Sequence, residues 1–71
     1  MKGTLHISRD KDENITWSIH LGYGVSVDKY NSFELVVNAI KSAKRVAKLM
    51  GIVIQETEYH DFDGTLFKLK G

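Results

Sequence analysis

The sequence contains no cysteine and no proline. Without cysteine the chain cannot form a disulfide, a thiolate metal site or a cysteine nucleophile. The three histidines match no zinc-binding signature on their own, so the sequence predicts no metal and no other cofactor. The longest apolar runs, residues 35–37 and 52–54, are too short to cross a membrane. Residues 1–8 lack the apolar core of a signal peptide, so we expect a cytoplasmic protein.

The small size of the chain limits its stability. A chain of 71 residues is one domain over residues 1–71, and a domain this short buries a smaller share of its surface than a longer one. Natural domains below about 70–80 residues often rely on disulfides, a metal or a partner chain. Because disulfides are excluded and no metal is predicted, we expect self-association to supply additional stability.

Apolar periodicity predicts two pairs of strands separated by one long helix. Residues 15–21 alternate between apolar and polar side chains, with Trp17 on the apolar side, which is the pattern of a half-buried antiparallel strand. The other predicted elements are a strand over residues 4–8, a charged loop over 9–14, an extended stretch over 25–29, a helix over 31–50, a strand over 52–60, a turn over 61–64 and a strand over 65–70, in which Phe67 and Leu69 point inward. This order predicts an α+β fold of the two-layer ββαββ type, a four-stranded, mostly antiparallel sheet packed on one long helix.

The ends of the predicted helix carry recognisable signals. Asn31 is a favourable N-cap residue, and Glu34 three positions later completes a capping box. Gly51 supplies the left-handed residue that commonly ends a helix. We therefore expect the helix to begin after Asn31 and to end before Gly51.

The helix carries more apolar surface than one sheet can cover. One face, which we expect to pack on the sheet, consists of Phe33, Val36, Val37, Ile40, Ala43, Ala47 and Met50. A second row, which we name the seam, has heptad-type spacing and consists of Leu35, Ala39, Ser42, Val46 and Leu49. Either a loop over residues 22–29 covers the seam, or a second copy of the helix packs there in a twofold homodimer. The small size of the domain favours the homodimer.

The polar side of the helix carries four cations at helical spacing. We name Lys41, Lys44, Arg45 and Lys48 the basic stripe. In a helix-paired dimer the basic stripe is doubled, and such a surface is suited to a phosphate backbone. A solvated polar face gives the same pattern, and the net charge of +1 is not that of a strongly basic nucleic-acid binder.

The remaining polar motifs predict no site. If Gly64 took the sixth position of a calcium loop, the first and twelfth positions would be Tyr59 and Lys70, which are not calcium ligands of that kind. His6 and His20 are expected on the polar face of two paired strands, where such a pair can bind a metal or respond to pH. Because this pair lacks a third ligand, we expect ordinary surface residues. No catalytic residue can be assigned.

The chain resembles a group of short bacterial proteins classed as a domain of unknown function. The group has the ββαββ order, a tryptophan in an early strand, alanines at helical spacing and a late Asp-Gly hairpin. The matching residues here are Trp17, Ala39, Ala43, Ala47, Gly51, Asp63 and Gly64. The resemblance covers residues 4–68, although this chain has a longer stretch over residues 22–29 and a more aliphatic helix. The group has no established activity, so the resemblance implies the fold alone.

These observations favour a small, intracellular, non-enzymatic binding or regulatory module. We expect it to act through contacts with an unidentified protein partner, as a homodimer paired along the seam. The alternative is a dimeric nucleic-acid-binding protein that uses the basic stripe. An enzyme is disfavoured, because no acid, base and nucleophile converge and a domain of this size has little room for a pocket of the usual volume.

Overall fold

The computed structural model describes residues 1–22 and 24–69, without the side chains of residues 28–32. Five strands and one helix follow one another along the chain. They are β1 (Lys2–Arg9), β2 (Ile15–Gly22), β3 (Val25–Phe33), α1 (Val36–Met50), β4 (Val53–His60) and β5 (Leu66–Leu69). Lys70, the predicted end of the last strand, lies outside the described residues. In the described part of the chain, no helix combines the length and the apolar composition that a membrane crossing needs.

The strands form one mixed sheet with the order β3-β2-β1-β4-β5. β1 lies at the centre, antiparallel to β2 and parallel to β4. The expected four-stranded, mostly antiparallel ββαββ sheet is therefore wrong. One cause is that residues 25–33 form a complete strand rather than a short extended stretch. The other is that α1 returns the chain to the far side of β1, which allows β4 to pair with β1 in parallel.

β1 and β2 alternate between the core and solvent as the sequence predicts. Leu5, Ile7 and Ile19 have no exposed surface, and Ile15 and Trp17 are also buried. The intervening residues of both strands point to the other side of the sheet. We name the side against which α1 packs the covered face and the other side the open face. Burial on the covered face stabilises the fold by about 25 cal/mol for each Å² of apolar surface removed from water.

The loop between β1 and β2 also agrees with the prediction. The Asp10 carboxylate accepts hydrogen bonds from the backbone N–H groups of Asp12 and Asn14, at 2.9 and 3.0 Å. The hydrogen bond from Asn14 is the main reason that the pKa of Asp10 lies below its usual value. An aspartate that satisfies two N–H groups of its own loop favours a tight connection between antiparallel strands.

The helix begins later than the sequence predicts. β3 continues to Phe33, which pairs with Ile15 of β2, and α1 starts three residues after Phe33. The N-cap residue is Leu35, and among the side chains that the structure describes none caps the helix. The predicted capping box of Asn31 and Glu34 is therefore wrong. Pairing with β2 holds the backbone extended where the local sequence alone favours a helix, so a tertiary interaction overrides a local signal.

The C-terminal end of the helix agrees with the prediction. Gly51 adopts a left-handed conformation with φ of 72°. The next residue, Ile52, donates its backbone N–H to the carbonyl oxygen of Ala47 at 2.8 Å. This pattern satisfies carbonyl groups in the last turn, and glycine adopts the required φ without steric cost.

α1 packs on the sheet through most of the predicted face, including Val36 and Ile40, but it is rotated so that Ala39 of the seam is also buried. Ala39, Ala43 and Ala47 make the buried contact with the covered face, and each is at most 2% exposed. Val37 and Met50, which were expected to face the sheet, are more than half exposed. A row of alanines adds little volume between helix and sheet, so the two layers can approach closely while the bulky side chains of the strands fill the core.

This rotation divides the seam. Ala39 is fully buried, and Val46 packs against the core. The Ser42 hydroxyl oxygen accepts a hydrogen bond from the indole N–H of the tryptophan in β2, at 3.2 Å. The two remaining members, Leu35 and Leu49, are 57% and 82% exposed and lie at opposite ends of the row. The five residues therefore do not form one continuous exposed surface on which a second helix could pack.

The helix covers only part of the sheet. Among the described residues, α1 contacts β1 to β4 but not β5. Phe67 of β5 lies opposite Tyr59 of β4, with ring centroids 6.1 Å apart, and it is half exposed. Phe67 thus shares the predicted inward side of the sheet, but it lies beyond the reach of the helix.

Candidate metal site on the open face of the sheet

The open face carries the polar residues of the three central strands. Side chains alternate along each strand, so every residue next to a buried one on β1 and β2 points to this face. Its residues on β1, β2 and β4 are Thr4, His6, Ser8, Thr16, Ser18, His20, Glu56, Glu58 and His60. All three histidines of the chain are therefore on the same side of the sheet.

The register of the strands places His6 between two polar side chains. His6 lies opposite Ser18 on the antiparallel strand β2 and opposite Glu58 on the parallel strand β4. His60, two residues after Glu58, lies on the same side of β4 and pairs with Ser8. The parallel pairing therefore joins residues from distant parts of the sequence, since His6 and His60 are 54 positions apart.

Three possible ligand atoms from these residues lie close together. His6 Nδ1 is 3.0 Å from His60 Nε2 and 3.5 Å from Glu58 Oε2, and the latter two atoms are 3.6 Å apart. We name these three residues the triad. A circle through three points at these separations has a radius of about 2.0 Å, close to the bonds of about 2.0–2.2 Å that zinc makes to histidine and carboxylate ligands. One metal ion thus fits among the three atoms.

The environment of His6 favours its neutral form. The side chains of His6 and Glu58 are 23% and 17% exposed, and that of His60 is 40% exposed. Partial burial, followed by the neighbouring imidazole of His20, lowers the pKa of His6 below 6.5, and the opposing effect of the Glu58 carboxylate does not reverse this shift. A neutral imidazole keeps a lone pair on one ring nitrogen, which is the form that binds a metal.

The close approach of two imidazole nitrogens also has a simpler explanation. A separation of 3.0 Å between His6 Nδ1 and His60 Nε2 is a hydrogen-bond distance if one ring carries a proton and the other accepts it. Protons and metal ions compete for the same lone pairs. A hydrogen-bonded histidine pair and a metal site are therefore two states of the same arrangement.

His20 is next to the triad without being part of it. Its ring centroid is 4.1 Å from that of His6, and the two rings are tilted by 56°. Its Nε2 atom lies 3.0 Å from the hydroxyl oxygen of Ser18, at hydrogen-bond distance. The donor atoms of the triad all lie within 4.8 Å of one another, a group that does not include His20. His20 therefore packs against a candidate ligand without supplying a donor atom to the triad.

Sequence reasoning identified two of the histidines but not the site. It placed His6 and His20 on paired strands and found no third ligand. The missing ligands come from β4, which can reach His6 only through the parallel pairing that two separate hairpins do not contain. The available signal was the spacing of Glu58 and His60, because two ligand-type residues two positions apart on a strand share one face.

The turn after His60 has a structural explanation. Asp61 Oδ1 lies 3.4 Å from Arg9 Nε, and the Arg9 guanidinium lies 5.6 Å from the ring centre of Phe62. Asp63 Oδ1 accepts a hydrogen bond from the backbone N–H of Thr65 at 2.8 Å, and hydrogen bonds from Thr65 lower the pKa of Asp63. These contacts hold the hairpin between β4 and β5.

The basic stripe is exposed but not uniform. All four of its side chains are on the surface. Lys41 and Arg45 line a groove beside α1, whereas Lys44 and Lys48 do not. The basic stripe therefore divides into Lys41 and Arg45, which line the groove, and Lys44 and Lys48, which lie outside it.

No family model, no curated protein and no solved structure matches this chain. The resemblance to the bacterial group of unknown function therefore stays a prediction. Function has to be inferred from the side chains themselves and from the geometry in which the sheet holds them.

Proposed function

We propose that this domain binds a divalent transition-metal ion, with zinc as the best fit, through His6 Nδ1, His60 Nε2 and a carboxylate oxygen of Glu58. The triangle of 3.0, 3.5 and 3.6 Å supports the proposal. Tetrahedral zinc with bonds of about 2.0–2.1 Å holds its ligand atoms about 3.3–3.4 Å apart. The two separations that involve Glu58, 3.5 and 3.6 Å, lie near that value, and the separation of 3.0 Å between the two imidazole nitrogens is shorter.

The donor set determines the class of metal. Two imidazole nitrogens and one carboxylate suit zinc and its late first-row neighbours, whereas calcium and magnesium prefer oxygen ligands alone. Three protein ligands leave one tetrahedral position for water or for a ligand from solution. The side chain of His60 is 40% exposed, so solvent reaches the triad.

A metal in the triad would also stabilise the fold. It would connect β1 to β4, two strands that are adjacent in space and distant in sequence. Domains of this size often need such a link, and the chain has no cysteine with which to form a disulfide. A bound ion therefore offers the stability for which sequence reasoning invoked a second copy of the chain.

Zinc titration of the metal-free protein tests the proposal. We expect one equivalent to bind by isothermal titration calorimetry, and cobalt to give the visible absorption of a low-symmetry site. At a free zinc concentration about 100 times the Kd, binding adds about 2.7 kcal/mol, which corresponds to a rise in Tm of roughly 10–20 °C for a domain of this size. A chelator should return Tm to the metal-free value.

Substitution of the histidines provides a matched control. His60→Gln removes an exposed ligand and should weaken zinc binding at least tenfold, which at the same zinc concentration removes about half of the Tm shift or more. His20→Gln changes the same residue type on the same face outside the triad and should change the affinity for zinc less than threefold. Equal losses in the two variants, or no stoichiometric binding by the unchanged protein, would contradict the proposed ligand set.

The earlier expectation of a protein-contact module stays a prediction. With Ala39 buried and Ser42 bonded to the core, a helix-paired homodimer along the seam has no favourable feature beyond the exposed ends of that row. The expectation of a non-enzymatic role likewise stays a prediction, and the proposal assigns no reaction to the triad.

A further inference from the structure

A groove of about 360 Å³ runs beside α1 on the helix side of the molecule, away from the triad. This volume lies within the range of about 300–1,000 Å³ that small-molecule sites occupy. Its lining residues come from the end of β3 and from one side of the helix; they are Phe33, Asn38, Lys41, Ser42, Arg45 and Val46.

Four of the lining residues are hydrogen-bond donors on one helix face. Asn38, Lys41, Ser42 and Arg45 occupy positions i, i+3, i+4 and i+7, which lie along the same side of a helix. Two of them are cations, and none of the six lining residues has a carboxylate. An amide, a hydroxyl, an ammonium and a guanidinium group together form a donor set for an anion with several oxygens.

A core residue positions the Ser42 side chain from the side opposite the groove. Its hydroxyl oxygen accepts a hydrogen bond from Trp17 Nε1 at 3.2 Å, and Trp17 itself is only 3% exposed. A hydroxyl group that accepts through its oxygen can still donate its hydrogen. The core therefore orients one donor of the groove before any ligand arrives, and orientation in advance lowers the cost of binding.

The other two lining residues are apolar. Phe33 and Val46 are partly buried and pack against the core, so each presents part of its side chain to the groove. An inorganic anion would leave this surface unused. A ligand that joins an anionic group to a flat or apolar body would use the donors and the apolar wall together, and an aromatic ring is a suitable surface for a nucleobase.

We propose that this groove binds a nucleotide phosphate, with the phosphate on Lys41, Ser42 and Arg45 and the base against Phe33. A phosphate monoester carries a charge of about −1.5 to −2 at pH 7 and presents three acceptor oxygens, which matches these two cations and one hydroxyl donor. The ligand is either a free nucleotide or one nucleotide unit of a single strand, which presents the same base but a singly charged phosphodiester in place of the monoester. This site is independent of the triad.

Adenosine monophosphate is the probe, and Trp17 is the reporter. Trp17 is the single tryptophan of the chain and is hydrogen-bonded to a lining residue, so occupation of the groove should change its fluorescence. Calorimetry of the same titration gives an independent Kd. We expect adenosine and inorganic phosphate each to bind at least tenfold more weakly than adenosine monophosphate, because each uses only half of the groove.

Two variants of the helix distinguish binding in the groove from nonspecific attraction to the positive charge of the helix. Arg45→Gln removes a lining cation and should weaken binding of adenosine monophosphate about tenfold or more, as expected for loss of a charge-assisted hydrogen bond. Lys48→Gln removes the same charge from the same helix outside the groove and should change the Kd less than twofold. Both residues are exposed, so neither substitution should disturb the fold.

A short single-stranded oligonucleotide distinguishes the two sources. Binding that depends on Arg45 and not on Lys48 supports the groove, with a nucleic-acid strand as the source of the nucleotide. Equal dependence on Arg45 and Lys48, with a salt dependence that corresponds to about four phosphates, would overturn the groove in favour of the whole basic stripe. Failure of adenosine monophosphate to bind at millimolar concentration, or equal binding of adenosine, would also overturn it.

Discussion

The covered face of the sheet is built from Leu5, Ile7 and Ile19, which have no exposed surface, whereas the open face of the same strands carries His6 and His20. Each strand contributes to both faces through alternate residues. The covered face excludes water and supplies most of the hydrophobic stabilisation. The open face adds little apolar burial, so core packing does not restrict which residue types occupy it, and polar residues that can bind ligands are tolerated there.

This division shows how a short chain can combine stability with a candidate site. A residue on the open face is held by a strand whose other side is fixed in the core, so its backbone is rigid even though the side chain is accessible. Sites on strands or helices are more accurately positioned than sites on loops. The triad takes its geometry from the pairing of β1 with β4, and that pairing is maintained by residues on the covered face.

Substitutions at two adjacent residues of β1, one on each face, give the strongest test of the difference in stability between the covered face and the open face. Leu5→Ala should reduce the free energy of unfolding by about 2–5 kcal/mol, because it leaves a cavity at a fully buried position. Thr4→Ala, one residue away on the open face, should reduce it by less than about 1 kcal/mol. Urea denaturation followed by circular dichroism measures both. Similar losses would show that the open face contributes to stability as much as the covered face.

Substitution of Gly3 by alanine tests how tightly the covered face is packed, because it adds a Cβ atom there. A Cβ at Gly3 would lie 2.9 Å from Ile19 Cγ2 and 3.0 Å from Leu21 Cδ2. Ile19 is fully buried and branched at Cβ, so it cannot move aside easily. We expect Gly3→Ala to reduce the free energy of unfolding by about 1–3 kcal/mol. Its zinc affinity, measured by calorimetry on the folded protein, should stay within threefold of the unchanged chain, and a larger loss would indicate that the two faces are coupled.

The smallest expected difference is between a serine of α1 that is bonded to Trp17 of the covered face and a serine of the open face. Ser42→Ala leaves the buried indole N–H of Trp17 without a partner and should reduce the free energy of unfolding by about 1 kcal/mol, after a small gain in helix propensity. Ser18→Ala removes an exposed hydrogen bond to His20 and should change it by less than about 0.5 kcal/mol. Thermal denaturation of the metal-free proteins compares the two, and a larger loss in Ser18→Ala would contradict the assignment of the faces.

Local patterns were sufficient for the parts of the fold that local interactions determine. Alternation in residues 15–21 predicted which side of β2 is buried, and Gly51 predicted the end of the helix. The loop after β1 followed from its run of charged residues. In each case the physical cause lies within a few residues of the feature, so a single sequence contains the necessary information.

The start of the helix and the triad depend on contacts between distant residues. Asn31 and Glu34 form a good local capping signal, but pairing of β3 with β2 keeps the chain extended through Phe33. The triad requires parallel pairing of β1 and β4, which is specified by no short motif. The orientation of the helix was predicted in part: Ala43 and Ala47 are buried as expected, but Ala39, which was assigned to the seam, is buried as well.

The central position of β1 has a consequence for the order in which the domain assembles. On a growing polypeptide, β1 can pair with β2 early, but its second edge remains unpaired until β4 is available. An unpaired edge strand is a site of unwanted association, and contacts of high sequence separation form slowly. The three proposed zinc ligands meet only when this edge closes, so the ion would be captured by chains that have completed the sheet and would not be held by partly folded ones.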